Sequence, residues 1–389
     1  MNEGRIEMKF VSKIIIFVSV FCVLISTISN VFAADSTAIQ TAISSGIDYY
    51  KTVQKEAYET TLDKVGTPFH AILRSETSMI SQTDYLYLVP SYDINEVSKF
   101  TTCREFADMI IISVLTGRDP KTQVEGFDVV EKLVALQDST GIFENTNLSD
   151  KPFSIEDHLW SMFALDLLNY DYDRTKALSV VVDAELSYGG FCEAGEENVN
   201  LDVTSLSVIV LSRYTNPTAV EINKRSMELI KQYYNEGSFN DPNGEGSANV
   251  ITHSFCVMAL IAGGEQIWNE PYATDEYSPI DYLLACQDAN GGFWYSETYK
   301  NKPSGDHKEP EDYASAVSLC AILDYRNMRS YMMKTGEVFT DTTHTIETPE
   351  PIISGFEIKY VLYAGGILIV FLVFIFIIGM FRSKKEKQN

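Results

Sequence analysis

No CxxC pair occurs in this sequence, so a zinc ribbon or a dithiol redox centre lacks its ligand spacing. Basic residues are few, 30 Lys and Arg against 54 Asp and Glu, and a field of that sign repels phosphate backbones. Nucleic acid is excluded as a partner on that ground. Only five histidines are present, and no two share a helix at ligand spacing, so no metal site is assigned. Of the six cysteines, Cys22 lies in the apolar leader described next. The remaining five, Cys103, Cys192, Cys256, Cys286 and Cys320, are an odd number, which leaves at least one thiol unpaired in an exported chain. No disulfide is assigned, and Cys256 and Cys320, set in apolar runs, read as small core side chains.

What is present begins at the two ends. Lys9 and Lys13 precede an apolar run over 14–25, followed by Val31-Phe32-Ala33, the pattern of a secretory signal peptide cleaved after Ala33. Met8 opens a cleaner start for it than Met1, whose neighbours include Glu3 and Glu7. At the other end, 360–381 is 22 residues without a charge, about 33 Å of helix at roughly 1.5 Å per residue. Arg382, Lys384, Lys385 and Lys387 follow, so the positive-inside rule puts the tail 382–389 in the cytoplasm and residues 34–359 outside. The external part carries 51 acidic and 23 basic residues, a net charge near −28. Residues 328–359, rich in Thr, Glu and Pro without an apolar period, read as a stalk.

Between the ends lies a repeat. Leu-Leu-Ala-Cys-Gln-Asp-Ala-Asn-Gly-Gly-Phe at 283–293 and Glu-Asp-Tyr-Ala-Ser-Ala-Val-Ser-Leu-Cys-Ala-Ile-Leu at 311–323 form one unit: an outer helix, a Gly-Phe turn, a loop and an inner helix. The turn phenylalanines Phe143, Phe191, Phe239 and Phe293 are spaced 48, 48 and 54 apart, a period at which single units cannot bury their own apolar faces. Outer segments are expected at 39–53, 84–89, 126–137, 174–186, 219–234 and 279–287. Inner segments are expected at 62–74, 102–115, 155–168, 203–214, 248–261 and 312–324. Six pairs close into a ring of about 290 residues, 34–327, and the fold class is all-α, an α6/α6 toroid with one C-terminal membrane helix. Asp157, Asp202, Asn249 and Asp312 recur near the inner-helix starts, where short acceptors cap free N–H groups.

These repeats resemble the α/α-toroid superfamily, with its prenyltransferase and squalene-oxidase type repeats, and 104–133 looks most like exported bacterial surface members. Squalene cyclases, prenyltransferase β subunits, complement-type thioester domains and transcobalamin-type cobalamin carriers share the scaffold, so the resemblance implies fold rather than function. The catalytic signatures that the resemblance implies do not match. The nearest string to the cyclase Asp-x-Asp-Asp acid is Asp171-Tyr172-Asp173-Arg174, which ends in Arg and lies in an outer connection. Where a prenyltransferase has an Asp-x-Cys zinc pair, this chain has Asp312-Tyr313-Ala314. Ala262-Gly263-Gly264-Glu265-Gln266 lacks the thioester cysteine, and the calcium-like loop from Asp241 has Thr252 at its twelfth position.

No catalytic residue, metal or cofactor is therefore assigned. The reading is a cell-surface binding protein that captures an extracellular small molecule, with a corrinoid as the sharper choice, or that acts in adhesion to a surface protein or glycan. The alternative is a cyclase-like, prenyltransferase-like or glycan-active enzyme using the ring's cavity. The candidate rim residues are Glu105, Asp157, His158, Trp160, Asp202, Asn249, His253, Trp294, Asp312 and Tyr313, backed by the loops 144–154 and 294–311. Protease treatment of intact cells is expected to release the external part; protection of the whole chain would overturn this topology.

Overall fold

Apolar periodicity and capping side chains together generate the helices of the structure, a computed structural model that describes residues 36–54, 67–76, 94–146, 153–193, 195–243, 247–274 and 276–334. In chain order these are α1 (Ser36–Tyr49) running into a π-helical turn (Tyr50–Gln54), α2 (Pro68–Glu76), the short α3 (Ile94–Val97), α4 (Cys103–Leu115) and α5 (Val129–Val134). There follow α6 (Ile155–Leu167), α7 (Arg174–Ala184), α8 (Leu201–Leu211), α9 (Pro217–Gln232), and a two-stranded hairpin of β1 (Tyr234–Asn235) and β2 (Ser238–Phe239). The described residues end with α10 (Val250–Ala262), α11 (Pro279–Cys286), α12 (Glu297–Asn301), α13 (Asp312–Asn327) and α14 (Tyr331–Lys334). The signal peptide, the 84–89 outer segment, the stalk beyond 334, the 360–381 span and the tail lie outside the described residues. Among the described residues no helix is long and apolar enough to cross a membrane.

The inner helices α2, α4, α6, α8, α10 and α13 touch one another in that order, and α13 returns to α2, so they form a closed ring. Outside it stand α1, α5, α7, α9 and α11, each against its inner partner, with α1 against both α11 and α13. The two kinds differ as their sequences require. On α9, Glu221, Lys224, Arg225 and Glu228 are exposed while Ile222, Leu229 and Ile230 are buried. On α10, everything from Thr252 to Ile261 is buried.

The inner helices start slightly ahead of the expected acids. Only Asn249 is itself an N-cap, accepting from the Thr252 N–H at 2.9 Å. Asp157 is the third residue of α6, which Ser154 caps, and Asp202 is the second residue of α8, which Asn200 caps. Asp312 is the first residue of α13, after Glu311. In these three cases the capping position precedes the acid, which frees that carboxylate from capping duty.

Closure is made by the last turn meeting the first helix. Gln287 Nε2 donates to the Ala42 carbonyl at 2.9 Å, and the Tyr50 hydroxyl donates to the Asp312 carbonyl at 2.7 Å. Gly291 has φ +94°, and a Cβ there would sit 2.0 Å from the Ser45 carbonyl oxygen. Gly117 has φ +72° with nothing within 4 Å. Gly291→Ala is therefore expected to cost about 2–4 kcal/mol, and Gly117→Ala only about 1 kcal/mol from its backbone conformation. Urea unfolding of the two variants measures the difference; equal losses would show that the seam is not close-packed.

Candidate functional site

Helical geometry decides which inner-helix residues face the centre of the ring. Counting from each cap, the second residues are Phe69, Arg104, Glu156, Asp202, Ile251 and Tyr313, and these encircle the mouth at the inner-helix N-termini. One turn further in, the same faces carry Asp108, Trp160 and Phe255, and beyond them Phe163 and Met258.

Below the mouth the lumen is filled. Phe69 of α2 packs edge-on against Trp160 of α6 at 6.0 Å between ring centroids and against Phe255 of α10 at 5.5 Å. Neither α6 nor α10 neighbours α2 in the ring, so these contacts cross the lumen. Phe69 and Trp160 are wholly shielded, and Phe163, Met258 and Phe255 are at most 3% exposed. At the far end Met332 is buried and its carbonyl accepts from Arg213 Nη1 at 2.8 Å, while Asp166 accepts from Tyr214, Tyr172 and Arg174 at 2.6, 2.9 and 2.9 Å.

Water reaches the mouth itself. Arg104 is its central cation: Nε donates to Asp108 Oδ1 at 2.7 Å, Nη1 donates to Glu156 Oε1 at 2.8 Å, and the guanidinium lies 4.4 Å over the Trp160 ring. The side chains of Arg104, Asp108 and Glu156 are 20, 25 and 41% exposed. Burial alone would lower the Arg104 pKa, but Asp108 and Glu156 more than offset it, and the guanidinium is held charged. Burial pushes the Asp202 carboxyl up to about 6, with Asp241 and Glu156 adding to the shift against a hydrogen bond from Thr252. Asp157, bonded by Asn145 Nδ2 at 3.0 Å, and Glu193 are also raised, chiefly by burial. The Tyr313 hydroxyl, raised by burial, lies in the field of Arg104, Glu156, Asp202 and Asp108.

Of the residues expected at the rim, Asp202 and Tyr313 stand in this ring, Asp157 lies beside it, and Trp160 lies beneath it. Others serve the scaffold. Glu105 closes a capping box with Thr102. Trp294 donates to Asp288 Oδ1 at 3.1 Å within its turn. Asn249 caps α10, and Asp312 contacts His70 Nε2 at 3.1 Å. His158 and His253 are fully buried in the wall rather than set at the rim. His158 Nδ1 accepts from the Phe143 N–H at 3.3 Å and Nε2–H donates to the Ala177 carbonyl at 3.0 Å. His253 does the same between Phe239, at 3.1 Å, and Pro279, at 2.6 Å. Phe69, Arg104, Asp108, Glu156 and Phe255 went unanticipated. Counting two and six residues inward from each cap finds all five.

No family model matches the chain, and no curated protein matches it. Among solved structures it is similar to the type II terpene cyclase MstE from Scytonema without ligand, at 8% identity over 76% of this chain and 100% of that one, with a TM-score of 0.53. It is also similar to a variant of that cyclase from Scytonema in complex with geranylgeranyl dihydroxybenzoate, at 10% identity, 75% and 98% coverage and a TM-score of 0.51. At such identities the likeness is one of fold, and the fold is the α/α toroid.

The titrating groups make a pH prediction. Burial lowers His158 and His253 to about 4, below the usual 6.5. The stability that each neutral ring supplies is complete above about pH 6.5 and is lost as pH falls towards 4, about 3 kcal/mol per histidine at the acid end. Asp202 acts in the opposite sense, because the strain of its buried charge is relieved as pH falls through 6. Asp202→Asn removes that relief, so its unfolding free energy is expected to fall more steeply than that of the parent between pH 6.5 and 4. Urea titrations across that range test this; parallel profiles would contradict the assignment.

Proposed function

We propose that the chain is an anchored cell-surface protein whose toroid captures a small polar ligand at its mouth. The observation that carries this reading is the floor: Phe69 reaches Trp160 and Phe255 across the lumen, directly beneath a charged ring that water reaches. A long polyprenyl chain needs a deep apolar cavity, and the side chains that would line one here touch each other instead. The secretory leader, the uncharged 360–381 run and the basic tail in the sequence support an external location. A corrinoid suits the mouth less well than a small polar molecule, since Arg104, Glu156 and Asp202 occupy half of it.

Native mass spectrometry of the full-length chain in detergent, with cobalamin and with candidate amines and glycans, tests the reading. A bound small molecule, lost on Tyr313→Ala without loss of folding, is expected. Absence of any small-molecule adduct would make adhesion through the outer surface the better reading. Turnover of a polyprenyl substrate, abolished by Asp202→Ala, would overturn the binding role altogether.

A further inference from the structure

The order of side chains around the mouth is not mixed. Going round the ring, Arg104, Glu156 and Asp202 are consecutive, and Ile251, Tyr313 and Phe69 complete the circle. One half is charged and the other is apolar or aromatic. On the charged half, Arg104 donates to Asp108 and to Glu156 and lies over the Trp160 face, so its charge is already paired. Glu156 is held by Arg104. The Asp202 carboxylate differs: it is bonded by Thr252, yet its Oδ1 is shielded from solvent and has no partner. A second orphan lies one turn down on the neighbouring helix α6. Trp160 is wholly buried on the lumen face, and its Nε1–H has no acceptor. An acceptor and a donor, both buried and both unmatched, carry a free-energy cost that a ligand or ordered water at the mouth would remove.

Resting on the binding role proposed above, we infer that the ligand is a small organic amine with an apolar or aromatic body. Its ammonium donates to Asp202 Oδ1, its carbon skeleton lies on Ile251 and Tyr313, and a hydroxyl or carbonyl on it answers Trp160 Nε1–H. The charges that act on Asp202 itself are acidic. Asp241 and Glu156 act on Asp202, and Tyr295, on the loop before α12, feels Asp241, Asp202 and Glu311. The external part as a whole is near −28, which draws cations towards the mouth.

Isothermal titration of the full-length chain in detergent with three isosteric probes, 2-phenylethylamine, 2-phenylethanol and phenylacetate, reads the inference directly. The amine is expected to bind at least about tenfold more tightly than the alcohol, and the acid not at all. Asp202→Asn is expected to erase the preference for the amine while leaving the fold intact by circular dichroism. Trp160→Phe, which keeps a ring under Arg104, is expected to weaken an amine that bears a hydroxyl more than one that does not. Equal binding of amine and alcohol, or amine binding unchanged by Asp202→Asn, overturns the inference. If the amines fail but a neutral adduct is still lost on Tyr313→Ala, the amine class is wrong and the mouth remains the site; if both fail, the binding role falls with it.

Discussion

Each repeat turn drives a phenylalanine ring into the core, and the backbone N–H that travels with it must be satisfied where no water reaches. In all four turns the acceptor is the side chain of the fourth residue of the following inner helix. His158 serves Phe143, Thr204 serves Phe191 at 3.0 Å, His253 serves Phe239, and Ser315 serves Phe293 at 2.8 Å. The short hydroxyls of Thr204 and Ser315 donate back to the carbonyl four residues before them. The longer imidazoles instead donate across to the next repeat, at Ala177 and Pro279, and so staple adjacent units. This link also aims the site. The second and fourth residues of a helix lie about 200° apart around its axis, so tying the fourth to the turn points the second into the lumen.

The mouth then follows from electrostatics. A cation set this far inside a ring is tolerated only when paired, and Arg104 has a carboxylate on each side and an aromatic face beneath. Because its partners come from its own helix and from α6, the ion-paired cluster occupies one arc. Nothing comparable anchors charge on α10 or α2, whose second residues are Ile251 and Phe69, and that arc stays apolar. At the far end Asp166 accepts from Tyr214, Tyr172 and Arg174, and the Met332 carbonyl accepts from Arg213.

Much of the ring was legible in the sequence. The Gly-Phe period located four turns, and the contrast between Ile222-type and Val250-type helices separated outer from inner. The site was less legible, because residue type alone drew attention to histidines and acids near helix starts. His158 and His253 are conspicuous in sequence, yet their chemistry is consumed by the turn and the next outer helix. Asp202 is legible as a rim residue, but the capping role also expected of it belongs to Asn200, two residues upstream. Arg104 and Glu156 look like ordinary surface charges until the cap fixes their register. The packing of Phe69 against Trp160 and Phe255 joins residues far apart in sequence, and no local pattern carries that information.

A closed ring of six inner helices has a fixed radius set by helix diameters, so the depth of its cavity depends on side-chain volume at a few inward positions. Here the second residue of α2 is a phenylalanine that meets a tryptophan and another phenylalanine, one turn down on helices two places away in either direction. Three aromatic rings in edge-on contact convert what would be a shaft into a floor. What the ring can recognise is decided above Phe69, by the arc of charge and the arc of apolar surface that the inner-helix starts present.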